Sequence, residues 1–255
     1  MRVLDIDLDF FVEGAAHWRA SRDQRLKGAE FPPWSLEDAS RFLDQQCRLE
    51  GKLPGLVVEN HGELFDRWRD AIDAGTLQAP FSVTHVDAHA DLGLGDAGYL
   101  YLLTTLVRLP VEERRHPMRG PEGLGDGNYL AFAIANRWLD ELTYVFNTDA
   151  ERPDDLMIPV MENFDRDAKH IALEPRTREE IDRGLGKPLP SPQVPVEPRI
   201  PFRFVPWRNF RASAPFDFIC LAQSPAFTPP EADALFDEIR ERFIDEGAVH
   251  AVSCG

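Results

Sequence analysis

The sequence predicts a three-layer α/β/α fold with a mostly parallel central sheet, and three observations carry that prediction. Apolar runs of strand length alternate with stretches of helical pattern along the chain. Several of those runs lack period-2 alternation, as strands do when both faces of a parallel sheet are covered. At 255 residues the chain can also bury one substantial core.

In chain order, strands are expected at 3–11, 54–59, 81–87, 142–147, 170–173, 202–207 and 217–223. The helices fall between them. Ser35-Leu-Glu-Asp38 offers a capping box ahead of a helix over 39–49, and helical patterns cover 62–74, 128–139 and 177–185. Thr228-Pro-Pro leads into a helix over 231–244, with Pro230 at its start. Residues 184–201 are Pro-rich and read as an irregular connection. Too little chain follows them for a second core, so 1–255 is expected to form a single domain. There are no internal repeats.

Composition narrows the function classes. A hydrophobic fraction of 43% with 17 Phe belongs to a globular protein and excludes wholesale disorder. No apolar run approaches the roughly 20 residues that cross a bilayer. LDIDLDFF near the N-terminus breaks the apolar stretch a secretory signal would need, so a cytoplasmic protein without membrane contact is expected. The net charge of −16 disfavours nucleic acid and suits metals and cationic ligands. Cys47, Cys220 and Cys254 are sparse and far apart, which excludes a disulfide framework or a zinc ribbon.

Three segments carry chemistry. Val86-Asp87-Ala88-His89-Ala90-Asp91 ends the strand that begins near Phe81. Asp87 and His89 share a strand face, and Asp91 lies where the chain turns back. Oxygen donors with some imidazole suit Mn, Fe(II), Mg or Zn. The bland alternative, a solvated strand end, sits badly with the apolar run leading into it. The second segment is Leu4-Asp5-Ile6-Asp7-Leu8-Asp9, whose carboxylates would line one face of a strand at roughly 7 Å spacing and repel unless cations neutralise them. A solvated edge strand is the competing reading. The third is Val58-Glu59-Asn60-His61, where a strand gives way to a helix; a helix-cap histidine is the ordinary reading of His61.

Together, ENHGELF, VDAHAD and LDIDLDFF resemble short motifs of the arginase/agmatinase/deacetylase superfamily. The order departs from the usual one: the Asp-x-Asp strand stands early rather than late, and Ile219 and Leu221 occupy the places of the late metal carboxylates. The arrangement is more similar to the atypical arginase-like family that includes peptide arginases, which convert arginine to ornithine in ribosomally made precursor peptides. The resemblance implies an arginase-like fold with rearranged strand order and a dinuclear Mn(II) centre, Fe(II) or Zn being alternatives. It implies one ion on His61, Asp7, Asp87 and Asp91 and another on Asp7, Asp9, Asp87 and His89. Asp7 and Asp87 would bridge the two around the catalytic hydroxide, with Asp5 behind the ligands.

Residues that meet the substrate are less legible. Asp126 and Asn128 in the Gly-rich stretch could line the mouth, although a turn and helix cap is the commoner meaning. Glu162 and Glu59 are candidate guanidinium partners, His116 reads as a solvated loop residue, and His85 as a hydrogen-bonded core histidine. The expected partner is an Arg-containing precursor peptide. Alternatives are an agmatinase-like or deacetylase C–N hydrolase, or a non-catalytic acidic module that holds a cationic peptide.

Overall fold

The computed structural model describes residues 1–14, 16, 24–93, 97–148, 152–153, 155–183 and 197–250. The elements run β1 (Arg2–Asp7), α1 (Leu36–Arg41), β2 (Leu53–Val58), α2 (Leu64–Asp73), β3 (Phe81–Val86), α3 (Gly98–Thr104), α4 (Tyr129–Ala135), β4 (Leu139–Phe146), β5 (His170–Ile171), α5 (Arg178–Asp182), β6 (Ile200–Pro206), β7 (Phe218–Ala222), α6 (Asp233–Phe243), β8 (Ile244–Asp245) and α7 (Gly247–His250). The strands form one sheet in the order β5-β6-β4-β3-β1-β7-β2-β8. Every pairing is parallel except that of β5 with β6. The fold is therefore α/β around a mostly parallel sheet, as the apolar runs predict.

Both faces of that sheet are covered. On one, Leu64, Phe65 and Trp68 of α2, Leu102 and Leu103 of α3 and the whole of α4 pack over the strands. On the other, Ala39 of α1 and Leu235, Phe236, Ile239 and Phe243 of α6 close over Leu4, Ile6, Ile219 and Leu221. This double burial is why the central strands read as continuous apolar runs. Among the described residues no helix is long and apolar enough to cross a membrane.

Several boundaries differ from the sequence expectation for local reasons. The strand expected over 3–11 ends at Asp7, whose side chain accepts the Asp9 N–H at 3.1 Å and curls Leu8–Phe11 into a 3-10 turn. The helix expected over 39–49 starts earlier, because Ser35 Oγ accepts the Asp38 N–H at 3.0 Å, and it continues as a π turn, Phe42–Gln46. The helix expected over 128–139 stops at Ala135: Asn136 Nδ2 donates to the Phe132 carbonyl at 2.9 Å, Arg137 turns left-handed with φ +59°, and Leu139 already opens β4. Helix α3 has no counterpart in the sequence reading, since GYLYLLT is an apolar run without helical period. Of the Pro-rich stretch, 184–196 lies outside the described residues, while Ile200 and Pro201 belong to β6.

Candidate metal centre

Parallel pairing opens the carboxyl ends of β1, β2 and β3 on the same edge of the sheet, the edge where α/β folds place their ligands. Asp5 and Asp7 come from β1 itself, and the 3-10 turn after it brings Asp9 around. Asn147 pins that turn to the end of β4 by donating to the carbonyls of Phe10 at 3.0 Å and Val12 at 3.1 Å. His61 follows β2 in a turn fixed by a capping box between Asn60 and Glu63. The Gly62 N–H donates to Asp126 Oδ1 at 3.2 Å, and a Cβ at Gly62 would stand 2.8 Å from that oxygen and 2.9 Å from the Gly125 carbonyl carbon. Asp87 follows β3, its Oδ1 accepting the His89 N–H at 2.7 Å. Asp91 is left-handed, φ +48°, which folds its carboxylate back as expected; Asp tolerates that region better than most residues.

Strand β7 lies between β1 and β2, yet it contributes no carboxylate. Ala222 is in register with both Asp7 and Val58, so β7 presents only a methyl group between the ends of β1 and β2. Ile219 and Leu221, which the resemblance sets at carboxylate positions, pair with Leu4 and Ile6 and point into the opposite core. The residues of β7 on the Asp5 face are Cys220 and Ala222, a strand parity the resemblance alone did not supply.

The six expected ligands do come together. His61 Nδ1 stands 3.0 Å from Asp7 Oδ2, 3.0 Å from Asp87 Oδ2 and 3.1 Å from Asp91 Oδ2. His89 Nδ1 lies 2.9 Å from Asp9 Oδ2 and 3.5 Å from Asp87 Oδ1. Asp87 thus turns one oxygen to each group. Asp7 does so less fully: its Oδ2 faces His61, whereas its Oδ1 is held by the Asp9 N–H. All of these residues are buried except His89, whose side chain is 19% exposed and forms the rim, with the Phe227 ring 5.2 Å away.

Their contacts are not those of a hydrogen-bonded core. His61 Nδ1, Asp9 Oδ2 and Asp87 Oδ2 are buried without a hydrogen-bond partner, even though oppositely polar atoms stand at about 3 Å. One imidazole nitrogen facing three carboxylate oxygens has the spacing of donor atoms around a common cation. The donor set could hold a metal ion.

Behind the donors runs a second layer of contacts. Asp5, as expected, sits there: its Oδ1 is 3.1 Å from His61 Nε2, and its Oδ2 is 3.0 Å from His85 Nδ1 and accepts the Tyr129 hydroxyl. A carboxylate on the far nitrogen of His61 turns its Nδ1 outward, as in carboxylate–histidine–metal arrangements. Ser224, left-handed at φ +45°, donates its hydroxyl to Asp7 Oδ2 and its N–H to the Glu59 carbonyl at 2.8 Å. His85 is the hydrogen-bonded core histidine expected, but it belongs to the cluster, with Nε2 3.2 Å from Asp87 Oδ2 and 3.1 Å from the His89 carbonyl.

Without cations, protons balance this charge. Burial and then Asp7 and Asp87 hold the Asp9 carboxyl well above its ordinary range. Burial and Asp87 push Asp91 up to about 7. Burial opposes charge on His85 and His89, but the neighbouring carboxylates outweigh it and raise them to about 10 and about 12. Burial likewise opposes ionisation of Asp5, and here His61 and His85 prevail, holding it well below the usual value.

The candidate substrate residues fare differently. Asp126 supports the His61 turn through Gly62, and Asn128 closes its own loop, with Oδ1 accepting the Gly125 N–H at 2.9 Å and Nδ2 donating to the Gly123 carbonyl at 2.8 Å. The structure does not bring Glu162 to the cluster: it pairs with His170 and Arg199 at the β5 edge, four strands from β1. Glu59 is exposed, and only its backbone touches the site. His116 is exposed beside Arg69. Sequence reasoning gave no role to Tyr144, Asp155 or Ser224 and set Tyr129 only in the stretch that could line the mouth; all four reach the cluster through distant elements. No family model matches the chain, and no curated protein or solved structure matches it.

Proposed function

We propose that the chain is a dinuclear metal-dependent hydrolase of the arginase-like kind, converting peptidyl arginine to ornithine with release of urea in the maturation of a ribosomal peptide. The observation that carries the reading is the pool of buried, partnerless donor atoms at one point, His61 Nδ1 facing Asp7, Asp87 and Asp91. The residues whose short motifs resemble that superfamily are the ones that meet there. The acidic chain suits an arginine-bearing substrate.

Two Mn(II), or Fe(II) or Zn, would be held by His61, Asp7, Asp87 and Asp91 and by Asp9, Asp87 and His89, and when bound they lower the pKa of a water and polarise the group under attack. The chain's own residues do the rest. Asp5 and Tyr129 fix the ring of His61, Ser224 fixes Asp7, and Asp87 ties the two groups at a set distance. In the reaction a water oxygen bonds to the guanidinium carbon and the bond from that carbon to the side-chain nitrogen breaks; the nitrogen takes up both protons of the water and the positive charge as an ammonium group, and the carbon leaves as neutral urea.

The test is metal analysis of the purified chain together with mass spectrometry of an arginine-containing peptide. Bound Mn and the mass loss of an amidino group replaced by hydrogen are expected. Unchanged peptide, with urea released from agmatine instead, overturns the peptide substrate; a protein that takes up no Mn, Fe or Zn overturns the metal centre.

A further inference from the structure

Strand β7 supplies no carboxylate, and its part in the centre falls to the loop that leaves it. Ser224 Oγ donates to Asp7 Oδ2, and the Phe227 ring stands 5.2 Å from that of His89 at the rim. Ser224 reaches Asp7 from a left-handed backbone, φ +45°, a region that a residue with a Cβ keeps only where its surroundings fix it. Its N–H donates to the Glu59 carbonyl at 2.8 Å, and its own carbonyl accepts the Phe227 N–H at 2.9 Å and the Thr228 hydroxyl at 3.1 Å.

Thr228 is fully buried, and its Oγ1 accepts in turn from Arg25 Nη2 at 3.1 Å. Arg25 also donates from Nε to the Thr228 carbonyl at 3.2 Å and from Nη2 to the Pro229 carbonyl at 2.9 Å. Its two terminal nitrogens grip the Asp233 carboxylate at 2.7 and 2.8 Å, and Asp233 Oδ1 takes the Gln223 side-chain amide at 3.0 Å. A lone surface ion pair contributes little. A two-pronged pair that also takes two backbone carbonyls and a hydroxyl has a fixed geometry. Further along, the segment that carries Arg25 is tied to the exit of β1: the Glu13 N–H donates to the Pro32 carbonyl at 3.0 Å and the Trp34 N–H to the Phe11 carbonyl at 2.7 Å. The guanidinium therefore joins the exits of β1 and β7, whose side chains meet at Asp7 and Ser224.

We propose that Arg25 is a positioning residue of the metal centre: through the Thr228 hydroxyl it holds Ser224 in the conformation that aims its Oγ at Asp7 and sets Phe227 against His89. This assignment rests on the metal-centre reading above and adds to it a residue that donates to none of the cluster's own groups.

The experiment is a double-mutant cycle, Arg25→Ala with Ser224→Ala, reading the Mn(II) affinity of the full chain by calorimetry. Each single variant should weaken Mn(II) binding about tenfold or more, the loss typical when a ligand's supporting partner is removed. The double variant should bind no more weakly than the weaker single one, because the second change finds nothing left to remove. A clamp that only steadies the fold gives losses that multiply. Multiplied losses, or wild-type affinity in either single variant, overturn the proposal and leave the metal centre standing. If Arg25→Ala does not fold, the isosteric Thr228→Val takes its place; it breaks the relay but leaves the guanidinium its contacts with Asp233 and Pro229, and the same outcomes decide. A wild-type chain that takes up no Mn, Fe or Zn overturns the metal centre and this assignment with it.

Discussion

Asp9→Asn separates a ligand from a structural carboxylate, because the two roles predict opposite effects on stability. In the metal-free protein Asp9 is buried against Asp7 and Asp87, which disfavour its charge. The folded chain holds a proton there that the unfolded chain has released, so as pH rises from the ordinary carboxylate range through the raised value, Asp9 lowers stability. Asn, which carries no charge and can still accept the Ala88 N–H, removes that penalty. The metal-free variant should therefore melt no lower than the wild type at neutral pH. With Mn(II) the order reverses. An ion present at a hundred times its Kd adds about 2.7 kcal/mol per site. For a chain of this size that is a Tm rise of about 5–10 °C per site. The wild type should gain from both positions, and Asp9→Asn from the His61 position alone, roughly half the rise. Differential scanning fluorimetry with EDTA and with added Mn(II) measures both quantities. A variant that melts several degrees lower in EDTA yet keeps the full Mn(II) rise would refute the reasoning and make Asp9 a structural residue.

Other expectations follow from the same geometry. Tyr129→Phe removes the hydroxyl that holds Asp5 and His61, and should weaken Mn(II) binding about 10–100-fold in calorimetry with little change in metal-free Tm. Gly62→Ala drives a Cβ against the Gly125 backbone and the Asp126 carboxylate, so it should displace His61 and lower both Tm and Mn content; unchanged metal content would count against that placement. In EDTA, the stability that charged His85 contributes is complete below its ordinary value of 6.5 and is lost as pH rises toward about 10, so metal-free melting should fall between those limits. Mn(II) affinity should move the other way and rise with pH, since cations displace protons from Asp91 and the histidines; isothermal titrations at pH 6 and 8 check the sign.

Most donor residues were legible because they sit in two short segments, alternating carboxylates on an apolar strand and Asp-Ala-His-Ala-Asp at a strand's exit; His61, by itself an ordinary helix-cap histidine, gained weight only from its place ahead of the second. The strands were legible for a related reason, since burial on both faces leaves unbroken apolar runs. What supports the donors was hidden. Tyr129, Tyr144, Asp155 and Ser224 touch the cluster across long sequence separations, and only the strand order brings them near. Glu59 and Glu162 show the converse: an isolated acidic residue says nothing about which edge of the sheet it occupies. Ile219 and Leu221 were judged by position in a motif when parity with Leu4 and Ile6 decides which core they face.

The insertion of β7 between β1 and β2 also sets an order of events in synthesis. Every donor residue lies within the first 91 positions, and all of them leave the ribosome early. Yet Asp7 ends β1 and His61 follows β2, and these two strands are joined through β7. The donors of β1 and β3 can meet by direct pairing, whereas His61 joins them only once β7 has docked between β1 and β2. A cation held by His61 together with Asp7, Asp87 and Asp91 would therefore report on the completed sheet.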